Sequence, residues 1–97
     1  MELLRLLQDW YSAQCNGDWE HQYGVKLDTL DNPGWSLEID LWGTSAEGRT
    51  LDPVTIERTE NDWITYRVSD KKFRAAMGPK NLEEGIEVFF RWLENSN

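Results

Sequence analysis

One cysteine, one histidine and three prolines among 97 residues remove several possibilities at once. The lone Cys15 can form neither an internal disulfide nor a Cys-based zinc cluster, which fits a reducing compartment. Apolar runs reach only a few residues, as in Leu3-Leu4, Leu6-Leu7 and Phe89-Phe90, against the roughly 20 that cross a bilayer. No membrane partner is expected. Residues 1 to 15 carry Glu2 and Asp9 among their leucines and lack a small-residue cleavage site, so they do not read as a secretory signal. A cytoplasmic address is the expectation. Basic charge is scarce too. Ten Lys and Arg against eighteen Asp and Glu leave a net charge of −8, which repels phosphate backbones and anionic lipid and attracts basic surfaces. No nucleic-acid partner is expected.

The charge is uneven along the chain. Residues 1 to 70 hold fourteen acids and five bases, whereas residues 71 to 97 hold four acids and five bases. The acidic field is therefore expected on the first helix and the sheet. A length of 97 residues suits a single domain spanning 1–97 with one core, since a chain of this size buries only roughly 60 to 65 per cent of the surface its unfolded form exposes.

What is present is a strong periodicity. From Glu2 to Gln14, Leu3, Leu4, Leu7, Trp10 and Tyr11 recur at spacings of three and four, which predicts an amphipathic helix that Asn16-Gly17 closes. Tyr23, Val25 and Leu27 then alternate with Gly24, Lys26 and Asp28, a half-buried strand. After Asp31-Asn32-Pro33-Gly34 the alternation resumes, with Trp35, Leu37, Ile39 and Leu41 against Ser36, Glu38 and Asp40. The two strands read as a hairpin with a loop of about four residues, and Asn32-Pro33-Gly34-Trp35 suits a type II turn. Val54–Thr59, Trp63–Ser69 and Lys72–Met77 supply three further strands, and Pro53 suits a strand start or edge. Gly78-Pro79 breaks the sheet, and Asn81 with Glu84 three residues later opens a second helix striped by Leu82, Ile86, Phe89 and Leu93. The fold class is α+β: an antiparallel meander of four to five strands flanked by an N-terminal and a C-terminal helix, both on one face. Glu94 to Asn97 are expected to be loose.

Few residues suggest chemistry. Gly17-Asp18-Trp19-Glu20-His21 sets two carboxylates and the only histidine together, but one histidine and two carboxylates at this spacing match no strong zinc pattern. A connector whose polar groups satisfy one another or backbone amides is the plainer reading. Ser12, Ser36, Ser45, Ser69 and Ser96 lie in no Gly-x-Ser-x-Gly elbow, and Gly43 and Gly48 lack the lysine of a phosphate-binding loop. Lys71, Lys72, Arg74 and Lys80 form a basic stretch, which reads as a solvated strand resisting edge pairing. Six tryptophans are many for this length, and most should be core. Strict alternation nevertheless places Trp42 with Glu38 and Asp40 on the wetter face, and Trp19 falls in a connector. An aromatic anchor ringed by acids has the make-up of a protein-binding hot spot; a Trp42 that covers the sheet edge or turns inward at a bulge is the alternative.

The run Trp10-Tyr11, Cys15-Asn16-Gly17-Asp18-Trp19-Glu20-His21, Tyr23-Gly24-Val25 and Thr29-Leu30-Asp31-Asn32-Pro33-Gly34-Trp35 resembles the immunity protein 53 family of bacterial polymorphic toxin systems. The likeness is concentrated in residues 10 to 42; the length and the tryptophan-rich remainder also fit. It implies an antitoxin made beside a toxin and binding it, with no enzymatic residues or cofactor to carry over. The expected partner is a cognate toxin with a basic surface, occluded directly and stoichiometrically. Asp18, Trp19, Glu20, Glu38, Asp40 and Trp42 are the candidate contacts. Two rivals remain at this level: a small metal-dependent enzyme centred on Asp18, Glu20 and His21, and a structural module that self-associates through an edge strand.

Overall fold

The computed structural model describes residues 2–95. Helix α1 (Leu3–Gln14) buries Leu7 and packs Leu3 and Trp10 against the core. It ends at Gln14, near the expected place, but through an extended Cys15 rather than a left-handed closure at Asn16; Gly17, two residues further on, takes a φ of +95°. A short helical turn, α2 (Trp19–Gln22), stands where a plain connector was expected. Strands β1 (Val25–Leu30), β2 (Gly34–Asp40), β3 (Leu51–Thr59), β4 (Asp62–Ser69) and β5 (Lys72–Met77) follow, and α3 (Leu82–Glu94) closes the fold. The α+β class, with a five-stranded antiparallel sheet between terminal helices, is as predicted. Of the tail expected to be loose, Ser96 and Asn97 lie outside the described residues, whereas Glu94 ends α3.

The strands do not lie in chain order. Their spatial order is β1-β2-β5-β4-β3, so the simple meander is corrected. Residues 41–50 carry the chain past the end of the sheet to its far edge, from which β3, β4 and β5 return to pair with β2. This order sets the two most apolar strands side by side, with Leu37 and Ile39 of β2 beside Phe73, Ala75 and Met77 of β5, all buried. The more polar β1 and β3 become the edges. The basic stretch is therefore not an edge: Lys72 and Arg74 lie on the central strand.

A second correction concerns the β1–β2 hairpin. Leu30 pairs with Gly34, leaving a three-residue loop, Asp31 to Pro33, in which the Asn32-Pro33 peptide is cis. Gly34 does not take the positive φ of a type II turn. It serves as the point of closest approach to β5, where a Cβ would collide with the Met77 carbonyl oxygen.

The core lies between the sheet and the two long helices. Phe89 of α3 is fully buried and meets Phe73 of β5 at 5.1 Å and Trp10 of α1 at 5.3 Å between ring centroids, both edge to face, a favourable aromatic geometry. One residue thus joins sheet and both helices. The N-terminal end of α3 is tied down by Asn81, which is buried. Its side chain donates to Asp62 Oδ1 at 2.9 Å and Glu84 Oε1 at 3.0 Å and accepts from the Trp63 amide. The C-terminal end is held by Arg49, whose guanidinium donates to the carbonyls of Trp92, Leu93 and Asn95 and lies 4.3 Å from the Trp92 ring centroid. A cation on these free carbonyls opposes the negative end of the helix dipole. The sheet face away from the helices carries Ser36, Glu38, Asp40, Thr65, Arg67, Lys72 and Arg74 and is left to solvent.

Candidate binding surface

The six candidate contacts fall into two neighbouring regions. Asp18, Trp19 and Glu20 belong to α2 and its lead-in, beside Trp42. Glu38 and Asp40 project from β2 onto the open sheet face.

The α2 segment is built by its own polar groups. Asn16 Oδ1 accepts from the amides of Asp18 and Trp19, both at 3.0 Å, and both Glu20 carboxylate oxygens accept, from the amides of Asn16 and Gly17 at 2.9 Å. Backbone hydrogen bonds, that of Glu20 itself first, hold the Glu20 carboxyl below its ordinary range; burial opposes this, while the amides of Asn16 and Gly17 and the charge of His21 reinforce it. Glu20 is thus a structural acceptor for the turn. Asp18 and His21 are exposed. Among the described residues no three His, Cys, Asp or Glu side chains converge as a metal site. The Asp18, Glu20 and His21 grouping has its central carboxylate already engaged by amides.

That locked turn delivers Trp19 to the core side. Trp19 is only 6% exposed, with its ring near those of Trp10, Tyr11 and Tyr23, and its Nε1 donates to the Trp42 carbonyl at 2.6 Å. Trp42 itself is 41% exposed. Its ring is stacked with Tyr23 at 6.2 Å and 13° and carries the Lys71 ammonium 3.6 Å from its centroid, a cation–π contact. Lys71 Nζ also lies 3.5 Å from Glu47, whose other oxygen accepts from the Gly43 amide at 3.1 Å. The Leu41 amide donates to the Lys71 carbonyl at 2.9 Å. The loop after β2 and the turn between β4 and β5 therefore hold Trp42 from both sides of the chain. Trp42 is exposed, as alternation leads one to expect, but its contacts are with Tyr23, Trp19 and Lys71 rather than with Glu38 and Asp40. Tyr11, 39% exposed, extends the aromatic surface around Trp19. Its phenol is held above its ordinary value, chiefly by hydrogen bonding to Cys15.

Tyr23, Glu47 and Lys71 escaped the sequence reading. Lys71 had the faintest signal. Asp70 and Lys71 take φ values of 54° and 60° between the paired residues Ser69 and Lys72, a two-residue hairpin loop with the φ signs of a type I′ turn. Such loops are usually marked by Asn-Gly or Asp-Gly, and Asp-Lys carries no such mark.

On the open face the acids are not free. Lys72 Nζ lies 3.8 Å from both Glu38 and Asp40, and Arg74 Nε lies 3.4 Å from Glu38. Asp40 also accepts from the Gly24 amide at 3.0 Å. The basic strand thus neutralises the acids beside it. Glu38 and Arg74 line a shallow depression of about 330 Å³ together with Ser36, Thr65 and Arg67. Near Trp42, Glu47 is likewise paired, with Lys71, whereas Asp18 and Asp70, next in sequence to Trp19 and Lys71, are exposed.

A small α+β protein whose outward features are a braced aromatic ring and paired charges, rather than a convergent set of reactive groups, has the make-up of a protein-binding module. The family model of immunity protein 53 matches residues 4–94, nearly the whole chain. The chain belongs to that family, and this membership supports an immunity-protein role. No curated protein and no solved structure matches it.

Proposed function

We propose that this protein is an antitoxin of a bacterial polymorphic toxin system, and that it neutralises its cognate toxin by binding it directly, one to one, so as to cover a surface the toxin needs. The observation that carries the reading is the Trp42 platform, an exposed indole already fixed in position by Trp19, Tyr23, Lys71 and Glu47. A ring held in one orientation before contact loses little conformational freedom on binding. Tryptophans in such positions dominate binding energies, with truncation costs at or above about 2 kcal/mol. Exposed Asp18 beside Trp19 and exposed Asp70 beside Lys71 add negative charge to the segments that hold the ring, which would steer a basic toxin surface and raise association above the ordinary 10⁵–10⁶ M⁻¹s⁻¹ at low salt.

In this proposal Trp42 and Asp18 contact the toxin. Trp19 and Glu20 keep the platform in shape from behind, and Glu38 and Asp40 form the adjoining charge-paired rim. The test is to mix the purified chain with the toxin domain encoded beside it and to co-express the two. A stable equimolar complex and survival of the producing cell are expected. Absence of a complex together with absence of protection would end the proposal.

A further inference from the structure

The two edges of the sheet are not alike. Edge β3 contains Pro53 and pairs with β4 through two register shifts, between Leu51 and Val54 and between Glu57 and Thr59. Proline and bulges are devices that keep an edge from accepting another strand. Edge β1 has neither. It pairs with β2 in six consecutive positions without interruption, from Val25 with Ile39 to Leu30 with Gly34. Leu27 in its middle is 42% exposed although it shares the helix-facing side of the sheet with buried Leu37, its partner on β2.

The direction of the free backbone groups follows from one hydrogen bond. The Asp40 amide donates to the Gly24 carbonyl at 3.1 Å, which continues the same register one step beyond Val25 and Ile39. In an antiparallel ladder, positions alternate between those that bond to the neighbour and those that face away. Gly24, Lys26, Asp28 and Leu30 therefore turn towards β2. Val25, Leu27 and Thr29 present their N–H and C=O groups outwards.

We propose that β1 pairs antiparallel with β1 of a second copy of this chain, about a two-fold axis through Leu27, so that two five-stranded sheets become one. About Leu27 the strand is its own complement. Val25 falls opposite Thr29, Lys26 opposite Asp28, and Leu27 opposite Leu27 of the partner. The three outward residues of each chain would form about six backbone hydrogen bonds. The two Leu27 side chains would cover one another, and the two Lys26 and Asp28 pairs would face each other where β1 side chains approach most closely. The charges also select the register. Moving the axis by one residue sets Lys26 against Lys26, or Asp28 against Asp28. Two-fold symmetry repeats each contact, as in any isologous dimer.

The charge pattern supplies its own test. Asp28→Lys and Lys26→Asp each place like charges opposite one another twice in a homodimer, whereas an equimolar mixture of the two variants again sets every lysine against an aspartate. Sedimentation equilibrium of the purified full chain over a wide concentration range should show a monomer–dimer equilibrium for the natural sequence. It should show at least ten-fold weaker association for either variant alone, and recovery in the mixture. Circular dichroism checks that both variants fold, as expected for outward side chains. Independently of any variant, amide exchange at Val25, Leu27 and Thr29 should slow as protein concentration rises. Association in the absence of any other protein separates this pairing from capture of a toxin strand by the same edge. A natural chain that stays monomeric throughout overturns the proposal, as does a dimer that the single substitutions leave unchanged or that the mixture fails to restore.

Discussion

Replacing Trp19 by phenylalanine separates the residue that supports the platform from the residue that forms it. The substitution keeps a ring in the buried site but removes the Nε1 donor, leaving the Trp42 carbonyl without the partner it now has at 2.6 Å. A hydrogen bond of this kind contributes about 1 kcal/mol net. The smaller ring also leaves a void of roughly 40 Å³ among Trp10, Tyr11 and Tyr23, which at about 24 cal/mol per Å³ adds about 1 kcal/mol. Together they come to about 2 kcal/mol, or a drop in Tm of about 8–16 °C for a domain of this size. Urea unfolding followed by circular dichroism measures it directly. Trp42→Ala removes an indole that is 41% exposed, and should cost no more than about 1 kcal/mol of stability. A Trp19→Phe loss below about 0.5 kcal/mol, or one smaller than that of Trp42→Ala, would refute the division into support and contact.

Other consequences are more local. Gly34→Ala should destabilise by about 1–3 kcal/mol in the same urea assay, because the added methyl meets the backbone of Met77 rather than a yielding side chain. Arg49→Met keeps most of the side-chain length but loses the three carbonyl contacts at the end of α3; about 1–2 kcal/mol of stability should go with them, and amide exchange should quicken in the last turn of α3. The cluster around Arg58 predicts an acid limb. Hydrogen bonds from Asn81 and then Arg58 lower the Asp62 carboxyl below 3.8, and hydrogen bonds from Arg58 first and then Asn81 lower Glu84 below 4.5 against the opposing effect of burial. Lowered folded values mean that the contribution is complete above these ordinary values and disappears as pH falls through the lowered ones. Stability measured down to pH 2 should therefore fall below about pH 4.5, and Arg58→Met should flatten that fall.

Local pattern made most of the elements legible. Alternation from Trp35 to Leu41 sufficed for β2, and the spacing of Leu82, Ile86 and Phe89 sufficed for α3, because each signal lies within one element. Strand order did not follow, since it depends on which apolar strands lie together under the helices, and Leu37 meets Ala75 across 37 intervening positions. For the same reason Glu38 and Asp40 read as a free acidic face, when Lys72 and Arg74 stand next to them in space. Charge reversal at those two acids would thus disturb the centre of the sheet along with any interface. Gly34 shows how a right residue can carry a wrong reason: a turn and a close approach both call for glycine, and only the position of Met77 distinguishes them. Alternation made the exposure of Trp42 legible, but not its place against Tyr23, and its bracing by Lys71 rests on a turn with no glycine to announce it.

Calorimetric titration of the cognate toxin domain into this protein and into its Trp42→Ala variant addresses the central claim most directly. Tight one-to-one binding that weakens by at least about 30-fold in the variant, equivalent to about 2 kcal/mol, with folding retained, is the result predicted. Binding of undiminished affinity to the variant would contradict the claim that the braced indole is the anchor, and no binding to either protein would contradict direct neutralisation itself.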